Sequence, residues 1–558
     1  MAEGEAVMAQ YPLRQEVDFV IVGSGAAGGV LARELSRAGF DVVVLEQGRW
    51  RKAQDFTHDE FDVFFQGEMT GSAAGGYPQT FRASPDEPAV VAQNAPPALY
   101  ARTVGGSSVH YSANFWRMRP IDFNERSRLG EISGTGFSDW PITYEELEPY
   151  YTRVDWEIGV SGEPGPFDAP RSKPYPLPPL PVKSSGVLFE KGARAIGLHP
   201  QSAPKAILSK PFNGRPACMH CGFCLGFGCE ANAKSSTLVT MIPEAVATGR
   251  CEIRTESTVF RLVTDAGGRI HEVLYYDSDG NEQAQRCKSA ILAANGAETA
   301  RLLLLSASEQ FPEGLANSSG LVGKYLMFNS HVAAHAVFSE QLNEYKSVQC
   351  TRIALDFYDT DEQRGFYGGG GLDARPFLHS YPIFFAMSGV PPDVPRWGAE
   401  YKRWLEYAFT RNMTVLANAT SLPVESNAVS LDPDVRDKFD LPALRVTYRD
   451  HDDDLATVAF LQDRAVEILE AAGAEKVWRD PVIPQTIGPH LLGTCRMGDD
   501  PAQSVVDRYH RSHEVPNLYI CDGSSFVSSG RGQPTMTIQA LAFRAAEHIA
   551  RAANRGEV

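Results

Sequence analysis

The sequence predicts an α/β fold: a Rossmann-like nucleotide-binding domain built from discontinuous segments, plus a second domain with a largely antiparallel sheet. Three observations predict it. A strand, glycine turn, helix and second strand follow one another over residues 18–46. Mixed strand and helix patterns return at 251–305 and again at 517–553. Between those returns, residues 330–450 read as short strands separated by turns, the pattern of an antiparallel sheet.

Length and composition are compatible with this. At 558 residues the chain is long enough for several domain-sized units or two large discontinuous ones. Hydrophobic residues are 43% and charged residues 22%, an ordinary globular balance. The formal net charge of −17 opposes attraction to nucleic acid or anionic lipid, so no nucleic-acid role is expected. Even the apolar stretch 291–305 carries Glu298 and Arg301, so no membrane span is expected. The first twenty residues hold Glu3, Glu5, Glu16 and Asp18 without a basic head and apolar stretch, and no secretory signal is expected on this chain.

In chain order, Asp18 to Val22 is a β-branched apolar run and Ala26 to Ala38 a helical one, and a second strand from Asp41 to Leu45 ends in Glu46. Residues 50–100 are polar and turn-rich, and 161–182 are proline-rich, a surface connector. Strand-like runs at 253–263, 271–276 and 289–294 lead into a helix after Gly296. Residues 452–472 form an amphipathic helix, and the chain ends in strand, glycine-rich turn and helix. The expected division is 15–130, 240–325 and 485–558 for the nucleotide-binding domain, 131–239 for a cysteine-rich insert and connector, and 326–484 for the substrate domain.

Gly23, Gly25 and Gly28 form G-x-G-x-x-G between strand and helix. The first permits the turn, the second lets backbone approach a pyrophosphate at the helix N-terminus, and the third permits tight helix–strand packing. Glu46, 23 residues after Gly23, can accept hydrogen bonds from a ribose diol. On this motif alone FAD and NAD both remain open.

Nine cysteines is an odd count, and four of them, Cys218, Cys221, Cys224 and Cys229, fall within twelve residues. That spacing points to a metal or iron–sulfur site and not to a disulfide framework. Three cysteines at three-residue steps suit a compact iron–sulfur cluster better than zinc, for which two separated knuckles are more usual. Glycines 222, 226 and 228 allow the backbone to curl around it. His220 reads as a solvated loop residue. Cys251, Cys287, Cys350, Cys495 and Cys521 read as reduced core thiols.

Further segments carry a resemblance: A-R-T-V-G-G-S-S from Ala101 to Ser108, H-L-L-G-T-C-R-M-G from His490 to Gly498, Asp522-Gly-Ser524, and G-Q-P-T-M-T-I from Gly532 to Ile538. Together with the N-terminal fingerprint they resemble the glucose-methanol-choline (GMC) oxidoreductases across nearly the whole chain. The resemblance implies FAD as cofactor, bound by Gly23, Gly25, Gly28, Glu46, Arg102, Gly105, Gly106, Ser107, His110, Asp522, Gly523 and Thr535. It makes His490 the base that takes a hydroxyl proton as hydride leaves for flavin N5, a task suited to an imidazole. Gln533 stands where the family usually has Asn or His, and its longer amide can still bond a substrate oxygen. In several members a histidine placed as His110 bonds covalently to the flavin, and the same is expected here.

The cysteine-rich insert resembles that of bacterial sugar and sugar-acid dehydrogenases, where three cysteines hold a 3Fe-4S cluster. The resemblance implies oxidation of a hydroxyl of a sugar, glucoside or sugar acid, glucoside C3 foremost. Electrons would leave through the cluster to a cytochrome c or quinone-linked acceptor. It further implies a periplasmic enzyme exported with a small subunit that carries the signal, a cytoplasmic location being the alternative. Two competing readings are an oxygen-using oxidase of the same fold with a structural metal at the cysteine loop, and a lyase that keeps FAD as scaffold.

Overall fold

The computed structural model describes residues 10–65, 76–93 and 95–558. Glu3 and Glu5 of the leader reading, and 66–75 and 94 of the turn-rich stretch, lie outside the described residues. The N-terminal apolar run forms the strand Val17–Val22, buried at all but one position, and it lies in the middle of a parallel sheet. Across that sheet the order is Cys251–Arg254, Val42–Leu45, Val17–Val22, Glu282–Leu292 and Leu518–Ile520. Segments from the beginning, middle and end of the chain thus share one sheet, as the recurring strand–helix patterns predict.

Glu282–Leu292 belongs to two pairings. Its first half runs antiparallel to Ile270–Tyr276, which in turn pairs with Thr258–Thr264, and its second half enters the parallel sheet. The single strand-like run 253–263 is therefore two strands. It breaks at Glu256, where φ is +52°, because the chain must leave the parallel sheet to begin the antiparallel excursion. Helix Gly28–Arg37 packs on this sheet with Met241–Ala247 and Thr535–Asn554.

The second sheet is antiparallel throughout, in the order Lys476–Arg479, His331–Val337, Asn412–Ala419, Gly370–Ala374, Arg352–Ala354 and Gln201–Ser202. Small residues such as Ala334, Ala336 and Ala417 let the helix Asp452–Ala472 lie close on it through Val458, Leu461 and Leu469. Helix Ser184–Ala195 and the strand Gln201–Ser202, both within the 131–239 segment, add to this layer. Residues 50–100 contribute two short strands, Gln79–Arg82 and Val90–Val91, to a third sheet completed by Ala428–Arg436 and Pro442–Thr447. The five isolated cysteines are buried and free, as read from the sequence.

The C-terminal return is fastened by a buried ion cluster. Arg531 reaches Asp122 at 2.6 Å and both oxygens of Glu125, one of them at 2.9 Å, while Tyr358 and Tyr367 donate to those two carboxylates at 2.6 and 2.8 Å. Arg531, Asp122 and Glu125 are almost wholly removed from water. Removing one member leaves the others buried and unpaired, which costs far more than a surface pair is worth. The substitution Arg531→Met is expected to destabilise the protein by about 3–5 kcal/mol, read as a lowered denaturant midpoint. An unchanged midpoint would contradict the assignment.

Candidate active site

The parallel strands all deliver their carboxyl ends to one cleft, where ligands sit in open α/β sheets. Its walls include Gly23, Gly25, Glu46, Tyr77, Gly106, Ser107, Asn295, His490, Asp522, Gly523 and Thr535, and it holds about 1340 Å³ of unfilled space, its open mouth included. The glycines act through close approach. Gly23 has φ +93°, and a Cβ there would lie 2.5 Å from the Ala293 carbonyl oxygen. One on Gly28 would lie 2.0 Å from the Gly23 oxygen, inside any allowed contact. Gly105 does not line the cleft but sets the turn before Gly106, with φ +92°.

Glu46 ends the strand Val42–Leu45 with its carboxylate buried. One oxygen accepts from the Ser24 amide (2.9 Å) and hydroxyl (2.6 Å), the other from the Gly48 amide (2.8 Å). Burial raises its pKa, and these donors oppose the rise. Asp522 is held the same way, by the amides of Asn295 (3.1 Å) and Ser524 (2.8 Å) and the Thr299 hydroxyl (2.6 Å). Its pKa too is raised by burial. Helices Gly28–Arg37 and Thr535–Asn554 begin at the cleft with no acidic residue in the first turn and no side-chain cap. Their positive ends suit an anionic ligand.

Arg102 stacks on Tyr77, 3.4 Å from guanidinium carbon to ring centroid, with Nε and Nη2 buried and lacking a hydrogen-bond partner. His110 is not a lining residue; its ring is buried and both nitrogens lack a partner. Its pKa is pushed down to about 3, first by burial and then by Lys234 and Arg51, so the imidazole is neutral. Two uncapped helix N-termini, a glycine turn open to close backbone approach and a guanidinium with two unpartnered nitrogens together fit a dinucleotide such as FAD.

His490 lines the cleft and its Nδ1 lies 3.1 Å from the Asn329 side-chain oxygen. The Asn329 amide nitrogen is committed to the carbonyls of Ala419 (3.2 Å) and Gly530 (3.1 Å). Its oxygen must therefore face the imidazole, which places the proton on Nδ1 and leaves the Nε2 lone pair free. Burial, then the neighbouring His331 and Arg375, hold the His490 pKa well below the ordinary histidine value. His331 crosses its ring at 5.5 Å and is itself lowered to about 4. A neutral, singly oriented imidazole is what proton removal from a carbinol requires.

Gln533 does not line the cleft, but it directly precedes the lining residues Pro534 and Thr535. Its amide donates to Asn418 (3.2 Å), whose oxygen also accepts from Arg375 (3.0 Å). Asn418 in turn donates to Asp373 (3.1 Å), the carboxylate that pairs with Arg375 through Nε at 3.0 Å. Asn418 and Ala419 are neighbours on one strand, so the supports of Gln533 and His490 share that strand. Asn329, His331, Asp373, Arg375 and Asn418 carry no motif. Only the docking of the second sheet against the C-terminal loop brings them to the site.

Cys218, Cys221, Cys224 and Cys229 line one small cavity together with Lys234. The His220 amide donates to the Cys218 sulfur at 3.3 Å, while the His220 ring turns away to Ser347 (2.9 Å). Lys234 is buried, and its ammonium bonds to the carbonyls of Tyr111 (3.1 Å), Phe227 (2.7 Å) and Cys224, with no carboxylate partner among the described residues. A buried ammonium needs a counter-charge, and thiolates held by a metal would supply one. The donor set thus fits a metal or iron–sulfur group, which would be held by these cysteines. The same loop is joined to the segment that follows Gly105-Gly106 by the Gly226 amide, which donates to the His110 carbonyl at 2.7 Å.

Comparison with known proteins agrees with this architecture. Residues 17–328 and 423–542 match the N- and C-terminal models of the GMC oxidoreductases. The chain belongs to this family of FAD-dependent oxidoreductases acting on CH–OH groups. A 2-methyl-1,2-propanediol dehydrogenase of Mycolicibacterium austroafricanum is 35% identical over 96% of this chain and 95% of that protein. The fructose dehydrogenase large subunit of Gluconobacter japonicus is 29% identical over 95% and 97%. Among solved structures, a formate oxidase of Aspergillus oryzae superposes with a TM-score of 0.67 at 15% identity, covering 98% of this chain and all of that one, and it shows the fold alone.

Two consequences can be measured. Replacing His490 with Ala is expected to lower kcat by at least about 100-fold, the contribution of a positioned general base. Asn329→Ala removes the hydrogen bond to His490, worth about 1 kcal/mol, together with those to the Ala419 and Gly530 carbonyls, and is expected to lower kcat at least about fivefold with little change in KM. Because the pKa of His490 lies below 6.5, kcat/KM in the native enzyme should stay level as pH falls through 6.5. Asn329→Asp, whose carboxylate favours the imidazolium, should move the acid limb upward. An acid limb that is the same in both proteins would refute the orienting role.

Proposed function

We propose that the protein is a dehydrogenase that oxidises a hydroxyl of a small polyol, sugar, glucoside or sugar acid. Its electrons would leave through a 3Fe-4S cluster at the cysteine loop to a one-electron acceptor such as a cytochrome c. The observation that carries this reading is the direct backbone link between the cysteine loop and the loop that follows Gly105-Gly106, with His490 on the cleft wall. Relatives named for a propanediol and for fructose support a hydroxylated substrate of that size.

Bound in the cleft, FAD would supply a two-electron acceptor for hydride. The chain supplies the rest. His490 Nε2 accepts the hydroxyl proton, its Nδ1–H staying bonded to Asn329. Gln533, anchored through Asn418, offers its free amide oxygen near the site. Burial, then His331 and Arg375, keep His490 neutral until the proton arrives, while Arg375 stays paired with Asp373. Lys234 neutralises part of the thiolate charge at the cysteine loop.

His110 is read as the site of covalent flavin attachment, supported by its neutral, buried and unpartnered ring. Acid precipitation should carry the yellow colour into the pellet, and colour left in the supernatant would refute the bond. In this reading the enzyme works in the periplasm, exported with a small subunit that carries the signal.

The function is tested by adding a panel of diols, sugars, glucosides and aldonates under argon. A true substrate should bleach the flavin band and reduce a one-electron dye, and the oxidised protein should show the electron paramagnetic resonance of a 3Fe-4S cluster. Steady peroxide formation with oxygen alone, and no iron or labile sulfide, would replace this reading with the oxidase one.

A further inference from the structure

We propose that His58, Cys221 and Glu230 form a second metal site, for a single zinc-like divalent ion, at the outer edge of the cysteine loop. The proposal rests on the iron–sulfur reading in one respect: it assigns Cys218, Cys224 and Cys229 to the cluster and releases Cys221 from it.

One ligand atom from each of the three residues lies within 4.8 Å of the other two. The closest pair is His58 Nε2 and Glu230 Oε2 at 2.7 Å. The residues come from two distant parts of the chain, yet the imidazole is firmly aimed. Phe223 stacks face to face on the His58 ring at 4.0 Å, and Phe227 meets it edge-on at 6.2 Å. The clamp belongs to the cysteine loop itself, so the loop that supplies Cys221 and Glu230 also fixes the third donor.

The four cysteines differ in exposure. Cys224 is buried, Cys218 and Cys229 are half-buried, and Cys221 is exposed. A cluster that excludes water is served by the first three, whereas Cys221 sits on the side of the loop facing His58 and Glu230. One imidazole, one thiolate and one carboxylate form a mixed donor set suited to zinc, with a fourth position left for water. Tetrahedral bonds of about 2.0–2.3 Å set donor separations of about 3.4–3.6 Å. Closing on an ion therefore opens the His58–Glu230 pair slightly and draws in the more distant donor, movements available to side chains at the protein surface. Bound there, the ion would pin the segment at His58 to the cysteine loop.

The test uses the holoenzyme, equilibrated with zinc, freed of unbound metal, and analysed for zinc, iron, labile sulfide and cluster paramagnetic resonance. One zinc per chain is expected beyond the cluster iron. His58→Ala and Cys221→Ser should each lose that zinc while iron, sulfide and the cluster signal stay at native levels, and Glu230→Gln should weaken zinc retention. Unchanged flavin content and circular dichroism would show that these variants are folded. Two results would overturn the site: no retained zinc in the native protein, or loss of iron and cluster signal in Cys221→Ser with His58→Ala unaffected. Zinc held in a His58-dependent way by protein that contains no iron would support this site while removing the cluster, so the two readings fail separately.

Discussion

The site depends on a buried carboxylate at the end of a strand. Glu46 cannot reach water, so it must be satisfied by donors close at hand, and those donors are the Ser24 amide and hydroxyl and the Gly48 amide. Because Ser24 also accepts from the Gly105 amide at 3.1 Å, the same interaction sets where the second glycine turn lies against the first. Thr237 then closes the junction from a third segment, donating to the Ser24 carbonyl at 3.1 Å. The cofactor cleft owes its shape to this junction, and the parallel sheet behind it supplies the rigidity.

The His490 side of the cleft holds positive charge without letting it reach the imidazole. Arg375 is buried and tied to Asp373, and the pair lies behind Asn418. Burial first, then His331 and this guanidinium, disfavour a charged His490, which keeps the Nε2 lone pair available. Orientation comes from a neutral group instead: Asn329 holds the imidazole through one oxygen while its own nitrogen is tied to backbone carbonyls. A carboxylate in that place would fix the ring equally well but would favour the protonated form before any substrate arrived.

At the cysteine loop the problem is reversed, since among the described residues a buried ammonium has no carboxylate partner. Lys234 binds three carbonyl groups of its surroundings, two of them from the loop that carries the cysteines. Carbonyl dipoles alone compensate a buried cation poorly, and thiolates held by a metal or cluster in the adjoining cavity would complete the balance. The Gly226–His110 contact ties this loop to the segment that follows Gly105-Gly106.

The strand–turn–helix order around Gly23, the return at Leu518–Ile520 and the helix Asp452–Ala472 were legible in sequence, because each is a local pattern of period and glycine placement. So was the grouping of Glu46 and His490 on one cleft and of the four cysteines around one cavity, since each stands beside a local motif. The break at Glu256, the membership of Gln201–Ser202 in the second sheet and the strands in residues 79–91 were not, since they answer to partners far away in sequence. Asn329, Arg375 and Asn418 escaped for the same reason, being ordinary polar residues until docking of the second sheet buries them beside His490. Local spacing determined which groups this protein can use. Tertiary packing decided the tautomer and charge of the base, and it brought His58 to Cys221 and Glu230, because solvent exclusion and through-space contact exist only once distant segments meet.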